Sequence, residues 1–296
     1  MAVLPYLVIK IAWTFGLFLP AAHMGEPSWR VINAVTVVVA LIGIGLAFAF
    51  AMPWGERLPA WLVALPIWIG TGLLVPMLIL APVLGPAAMS RDQDAGAADV
   101  WVYEQVLVMV SLVGAGIGLP LALTGYVRAR WPEALGGPLA VESVPGHSRQ
   151  LQRTLAGIVA VGCILLAAVK GYWAAGGTLG LNPEALGHRD LWWHVLSLST
   201  SAWALAGAWG LLSLVNARWS GTFVVPMVTT WVASGMLFSY SLYAALSGTR
   251  PDSPPVPEHD LPQVLTTQAG TVLGVLMALT LLLVLQDRRY AIRGRS

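Results

Sequence analysis

Eight long apolar runs, separated by charged, Pro-rich or Gly-rich connections, constrain this chain more than any other feature of its sequence. A transmembrane helix needs about 20 mostly apolar residues. The chain is 57% hydrophobic and only 10% charged, whereas soluble domains carry about 25% charged residues. We therefore predict an all-α integral membrane protein. The predicted spans cover residues 2–22, 31–52, 60–84, 101–127, 154–176, 191–214, 222–247 and 263–286.

The arginines predict how the chain is oriented in the membrane. If both termini are cytoplasmic, ten of the fourteen arginines lie in cytoplasmic connections and tails, and ten of the fourteen acidic residues lie outside. Cytoplasmic loops of membrane proteins carry the excess of arginine and lysine, so we predict cytoplasmic N and C termini. The Ala-, Gly-, Val-, Arg- and Trp-rich composition is typical of multi-pass proteins of GC-rich bacteria, which indicates the cell (inner) membrane.

The sequence also repeats itself. The stretch KIAWTFG, which begins at Lys10, matches KGYWAAG, which begins at Lys170, and WIGTGLL from Trp68 matches WVASGML from Trp231. The two offsets are 160 and 163 residues. We predict that the first four helices are a duplicate of the last four. Each unit would then cross the membrane an even number of times, as two parallel-oriented four-helix repeats about a pseudo-two-fold axis along the membrane normal.

This repeat divides the chain into three predicted segments. Residues 1–130 form the first transmembrane repeat, residues 131–153 a cytoplasmic linker, and residues 154–296 the second repeat with a basic C-terminal tail. The linker is rich in Pro, Gly and Arg, which favours a connection that lies on anionic lipid head groups. The first apolar run lacks the basic leader and cleavage site of a signal peptide, so we expect it to remain as a spanning helix.

Lys10 and Lys170 are the only lysines in the chain. A lysine in the bilayer centre costs several kcal/mol unless it pairs or faces water, whereas near a helix end it can reach the interface. Lys170 lies about 16 residues into its span, which is roughly 24 Å along a core of about 30 Å. One interpretation is an interfacial anchor on outer-leaflet phosphates.

The second interpretation is a paired site across the pseudo-two-fold axis. The two lysines would bind an anionic ligand, or form an ion pair with Glu104 or another external acid. A tryptophan follows each lysine at the third position, where it can contact the same ligand. The candidate ligand-binding residues are therefore Lys10, Lys170, Trp13, Trp173 and Glu104.

No recognisable metal or cofactor constellation is present in the sequence. None of the five histidines falls in the middle of a predicted span, which argues against a bis-histidine haem site. The single cysteine, Cys163, excludes a thiolate metal site. His188 and His194 stand near the outer end of the sixth helix, where surface or interface histidines are the default. We predict no catalytic residue, no metal site and no cofactor.

The small residues of the seventh helix have a structural interpretation. Ala233-Ser234-Gly235 resembles the serine motif of rhomboid proteases, but no later intramembrane histidine can act as the base. Thr71-Gly72 holds the same place in the first repeat, so we interpret both pairs as helix-packing residues. Serines and threonines are concentrated in the sixth and seventh helices, which favours a polar seam between them.

Two functions stay open from the sequence. The first is binding or transport, between the two repeats, of a small or lipidic ligand, including an anionic one. The alternative is a non-catalytic scaffold or subunit that packs against other membrane proteins. The expected partners are the lipid bilayer, an anionic lipid or small ligand, and a membrane protein, with no nucleic acid.

Overall fold

The computed structural model describes residues 3–17, 27–93, 100–130, 147–181, 186–187, 189–216, 222–248 and 261–293. In these residues the chain is all-helical and contains no β-strand. A 3-10 helix, Pro53–Arg57, connects the second and third helices. The α-helices in chain order are α1 (Leu4–Thr14), α2 (Pro27–Ala51), α3 (Ala60–Gln93), α4 (Val100–Arg130), α5 (His147–Ala174), α6 (Leu191–Asn216), α7 (Val224–Gly248) and α8 (Leu261–Arg293).

Six helices contain segments that are long and apolar enough to cross a membrane, among the residues that the structure describes. They belong to α2, α3, α4, α5, α6 and α8. The segments are Asn33–Ala51, Ala60–Leu80, Met109–Ala129, Arg149–Ala174, Leu191–Asn216 and Leu261–Tyr290. By the length and composition of these six segments, the chain is a multi-pass, membrane-embedded helical protein. Two of the eight predicted spans, those of α1 and α7, are not among the six.

The first helix is shorter than predicted. A helix over residues 2–22 was expected from the apolar run, but α1 ends at Thr14. Gly16 has φ +77 and ends the helix with a left-handed residue. The described helix has 11 residues, which corresponds to about 16 Å against a hydrocarbon core of about 30 Å. The apolar pattern missed this end because the residues around Gly16 are apolar too.

The seventh predicted span is present as α7, which has 25 residues. Its sequence is interrupted by buried hydroxyl residues such as Thr230 and Ser234, both 0% exposed. These side chains lower its mean hydropathy below that of the six segments. Because α7 packs between α6 and α8, it can carry polar side chains on faces that lipid does not reach.

Several of the other helices extend beyond the membrane spans predicted for them. The fifth helix begins at His147 rather than 154, so the last residues of the predicted linker 131–153 are helical. The third helix continues to Gln93 rather than 84, and the eighth to Arg293 rather than 286. An apolar window detects only the part of a helix that needs an apolar surface. Polar first and last turns continue the same backbone hydrogen bonding outside that window.

The chain divides into two compact units. The first consists of Met1–Ile67 and Met77–Arg130, and the second of Trp68–Pro76 and Trp131–Ser296. The middle of α3 thus belongs with the last four helices, although the rest of α3 belongs with the first unit. In the first unit, α2 packs against α1 and α4.

The core of the second unit lies between α5, α6, α7 and α8. Its centre consists of small and medium-sized apolar side chains, including Ala204, Ala233 and Met277, each 0% exposed. Such small residues let helix backbones approach closely, which substitutes for the hydrophobic driving force that lipid removes. Cys163 is one of these buried core residues, as a free thiol.

Candidate functional site

The end of α5 brings Lys170 and Trp173 together. The Lys170 ammonium lies over the Trp173 ring, with Nζ 5.0 Å from the ring centroid. Trp173 is 1% exposed, and its indole N–H donates a hydrogen bond of 2.9 Å to the Leu179 carbonyl. Lys170 is half-buried. A cation over an aromatic face gains about 0.5–2 kcal/mol, depending on how far it is desolvated.

The matching residues meet in the same way at the end of α1. Lys10 Nζ lies 4.5 Å from the centroid of the Trp13 ring and 5.3 Å from that of Tyr6. Lys10 is 7% exposed and is therefore more deeply buried than Lys170. In α5 the place of Tyr6 is taken by Leu166, so the second aromatic face is specific to α1.

Both helices end in a Schellman motif. Each motif has a left-handed glycine three residues after the tryptophan, with φ +77 at Gly16 and φ +97 at Gly176. The glycine N–H donates to the tryptophan carbonyl, and the next N–H donates to the carbonyl before the tryptophan. The pairs are Gly16 to Trp13 and Leu17 to Ala12 in α1, and Gly176 to Trp173 and Gly177 to Tyr172 in α5. The shared K-x-x-W-x-x-G pattern is therefore a helix-ending device as well as a candidate cation site.

Replacing Gly176 with alanine tests this device. A Cβ at Gly176 meets no atom within 4 Å, so the whole expected cost is the left-handed backbone, about 1–2 kcal/mol. We expect this loss in the free energy of unfolding of the purified protein, measured by far-UV circular dichroism during SDS titration of mixed micelles.

The matched control for that variant is Gly157→Ala, in the same helix. A Cβ at Gly157 also meets no atom within 4 Å, and the residue has no left-handed φ. It should be neutral or slightly stabilising because alanine favours helix. Equal losses in Gly176→Ala and Gly157→Ala would contradict the assignment of the helix end.

The carbonyls at the end of α5 have further partners that the sequence pattern did not predict. Arg189 donates to the carbonyls of Gly176 and Gly177, and its guanidinium lies 4.7 Å from the Trp193 ring centroid. His194 Nδ1 lies 2.9 Å from the Ala174 carbonyl oxygen. A basic group near a helix C-terminus is favourable because the carbonyl ends carry partial negative charge. No local sequence pattern predicts these contacts, because they connect residues near the start of α6 to the end of α5 across a loop.

Glu104, the predicted acidic partner, lies in the first turns of α4 by its backbone. Its side chain lies outside the described part of the chain, and so the predicted ion pair with a lysine stays a prediction. Lys10 belongs to the first unit and Lys170 to the second. In the structure each lysine contacts the tryptophan of its own helix. The paired site across the two repeats stays a prediction.

A second set of repeat residues meets where the middle of α3 crosses α7, within the second unit. The Trp68 indole N–H donates to Ser234 Oγ at 2.9 Å, and the Trp231 indole N–H donates to Thr71 Oγ1 at 3.0 Å. Each hydroxyl also donates to the carbonyl of the tryptophan on its own helix, Thr71 at 3.3 Å and Ser234 at 2.9 Å. The contact is reciprocal, because adding 163 to each α3 residue gives its counterpart in α7.

The glycines next to these hydroxyls allow the crossing. A Cβ on Gly72 would overlap the backbone of Gly235, and a Cβ on Gly235 would lie 2.5 Å from the Trp68 carbonyl oxygen. Beyond the glycines, the Tyr240 hydroxyl donates to the Leu73 carbonyl at 3.1 Å. The predicted packing role of the two hydroxyl–glycine pairs is confirmed. The Ser234 hydroxyl has a structural role, because it both accepts and donates a hydrogen bond at this crossing.

The predicted polar seam between α6 and α7 consists of hydroxyls that bond to helix carbonyls. Thr200 donates to Leu196 at 2.8 Å, and Thr230 donates to Pro226 at 2.7 Å, each within its own helix. Ser201 donates instead across to Ala167 of α5 at 2.8 Å. Hydroxyls that back-bond in this way satisfy themselves without water. These three hydroxyls therefore contribute to helix structure and packing.

Among the described residues, no three His, Cys, Asp or Glu side chains lie together in a way that could hold a metal ion. The sites that the geometry does define are the two lysine–tryptophan helix ends and the reciprocal crossing of α3 and α7. Comparison of the chain with known protein families, with curated proteins and with solved structures finds no match in any of the three.

Proposed function

We propose that this chain is a multi-pass protein of the cell membrane that binds an anionic group at its two lysine–tryptophan helix ends. The proposal includes eight crossings, cytoplasmic termini and a duplicated four-helix repeat. The anionic group is a phosphate or carboxylate, carried by a lipid head group or by a small ligand. Transport would require that this ligand then move between the two repeats.

The observation that carries the proposal is that the two helix ends have the same arrangement of residues. Lys10 and Lys170 each lie over a nearly fully buried tryptophan, and each tryptophan stands three residues before a left-handed glycine. Left-handed helix ends are common, so the informative match is the lysine–tryptophan pair at the same distance before each glycine. The reciprocal contact of Trp68 and Trp231 supports the same duplication.

The geometry at Lys170 favours an anion over a purely structural cation. An ammonium has three N–H donors, and the Trp173 ring faces only one side of it. Lys170 is half-buried, four residues before the end of α5. In the proposed orientation this helix end lies at the outer head-group level, where aromatic residues such as Tyr172 are enriched.

Lysine substitution tests the proposal directly. We expect Lys10→Met/Lys170→Met to retain less phosphatidylglycerol than the unchanged protein, by about fivefold in affinity per lysine. The measurement is native mass spectrometry of the full chain in neutral detergent, with phosphatidylcholine as the zwitterionic reference. Inorganic phosphate forms a second arm, which separates a soluble anion from a lipid.

The matched control is Lys10→Arg/Lys170→Arg, which keeps both positive charges and should keep most of the binding. Single Lys→Met variants show whether the two ends act independently. If the double methionine variant retains phosphatidylglycerol and phosphate as the unchanged protein does, with unchanged stability, the binding proposal is wrong.

The alternative function, a non-catalytic membrane scaffold or subunit, is favoured by one observation. Four hydroxyls of α6 and α7 donate hydrogen bonds to helix carbonyls, which gives them a role in helix packing. They belong to Thr200, Ser201, Thr230 and Ser234. A scaffold needs such rigid helix contacts and no ligand. Unchanged anion retention in every lysine variant is the result that would favour it.

A further inference from the structure

The start of α5 and the end of α8 lie side by side in the second unit. Gln152 Nε2 donates a hydrogen bond of 2.8 Å to Asp287 Oδ2. Farther along the same pair, a Cβ at Gly162 would contact the Leu273 side chain. The contacts advance along α5 while they go back along α8, so the two helices are antiparallel. Their first and last turns therefore share one end of the unit.

Four arginines gather at this shared end, and we call them the arginine end: Arg149, Arg153, Arg288 and Arg289. The two on α5 are exposed, whereas Arg288 on α8 is only 7% exposed. The Arg288 guanidinium lies 3.9 Å from the ring centroid of Phe223, at the start of α7. Asp287, which accepts a hydrogen bond from Gln152, is an acidic side chain described among them. The arginine end thus has a large excess of positive charge.

The arginine end stands where two membrane-spanning segments end. The apolar segment of α5 begins at Arg149, and that of α8 ends at Tyr290. If these segments cross a membrane, the four arginines lie near the lipid head groups on one side of it. Topology alone accounts for exposed arginines at a cytoplasmic helix end. Arg288 differs from the two exposed arginines, because it is 7% exposed and its guanidinium lies over the Phe223 ring.

We propose that the arginine end binds the phosphate of an anionic phospholipid from the leaflet on its own side, which is cytoplasmic in the orientation proposed above. Guanidinium groups bind phosphate with paired, planar hydrogen bonds. Basic clusters between transmembrane helices at the cytoplasmic side recognise anionic head groups in this way. Phe223 and Gln152 position the arginine end, because they hold Arg288 and Asp287 in place. This site is independent of the two lysines.

Titration calorimetry of the full chain in neutral detergent tests the proposal, with dioctanoyl phosphatidylglycerol as the probe. We expect Arg149→Gln/Arg153→Gln to weaken its binding by about 25-fold, since each arginine near an anionic surface contributes about fivefold. Both side chains are exposed, so the fold should persist. Raising the salt concentration should weaken binding to the unchanged protein more than to the variant.

The matched control is Arg128→Gln, an exposed arginine near the end of α4 in the first unit. It should leave the affinity within about twofold, because salt screens an exposed charge that does not contact the bound phosphate. Equal weakening by Arg128→Gln, or no weakening by the double variant, would overturn the proposal. Binding of inorganic pyrophosphate without binding of phosphatidylglycerol would overturn the assignment to a lipid.

Lys10→Met/Lys170→Met should leave the loss caused by Arg149→Gln/Arg153→Gln unchanged, which separates this site from the lysine sites.

Discussion

Trp173→Ala is expected to lower the free energy of unfolding by about 3–5 kcal/mol, the cost of removing a fully buried tryptophan. Trp173 is 1% exposed. Its loss would leave a cavity at the end of α5, remove the hydrogen bond to the Leu179 carbonyl and remove the ring under Lys170. The measurement is SDS titration of the purified protein in mixed micelles, followed by far-UV circular dichroism.

The control for this variant is Trp61→Ala, because Trp61 is 65% exposed. Its expected effect is within about 0.5 kcal/mol, as for other surface substitutions. Far-UV circular dichroism is preferred to tryptophan fluorescence because both variants remove a fluorophore. A loss at Trp61 as large as that at Trp173 would show that burial at the helix end does not decide the cost.

Gly72→Ala is expected to lower the free energy of unfolding by about 1–3 kcal/mol or more, the usual cost of overpacking. The added methyl group would overlap the backbone of Gly235, which cannot move away as a flexible side chain could. Relief of the overlap would separate α3 from α7 and lengthen both tryptophan hydrogen bonds. The same titration measures the loss, and the near-UV circular dichroism of Trp68 and Trp231 should change with it.

The reciprocal variant Gly235→Ala should show a loss of similar size, because its Cβ would meet the Trp68 carbonyl oxygen. Gly70→Ala is the matched control, two residues from Gly72 on the same helix, where a Cβ meets no atom within 4 Å. It should be neutral or slightly stabilising. Loss in Gly70→Ala equal to that in Gly72→Ala would mean that α3 tolerates no alanine for reasons other than the crossing.

Local patterns predicted the helices better than their ends. Six of the eight predicted spans are long apolar helices in the described chain, because hydropathy measures the surface that lipid requires. The end of α1 was missed because Gly16 stands within apolar residues, and a glycine φ of +77 leaves no trace in hydropathy. The match of KIAWTFG with KGYWAAG already contained this information, since both glycines end a helix in the same way.

The sequence shows the spacing of the two lysine–tryptophan pairs, but the ligand-binding role of these residues stays a prediction. Each lysine stands three residues before a tryptophan, which puts both on one face of a helix turn, and the structure adds the two cation–aromatic contacts that the spacing allows. Spacing could not show that Trp68 reaches Ser234 or that Gln152 reaches Asp287, because each pair is separated by more than 130 residues. Such contacts depend on how whole helices cross.

The sequence by itself determined the helical, membrane-embedded class, the apolar segments and the two lysine–tryptophan pairs, because these depend on neighbours within one helix turn and on composition. Only the tertiary structure decided that the middle of α3 packs with α7 in the second unit and that Arg288 is enclosed beside Phe223. The physical reason is the distance along the chain. Helix packing depends on which side chains are small enough for two backbones to approach, and both partners must be in place before that fit exists.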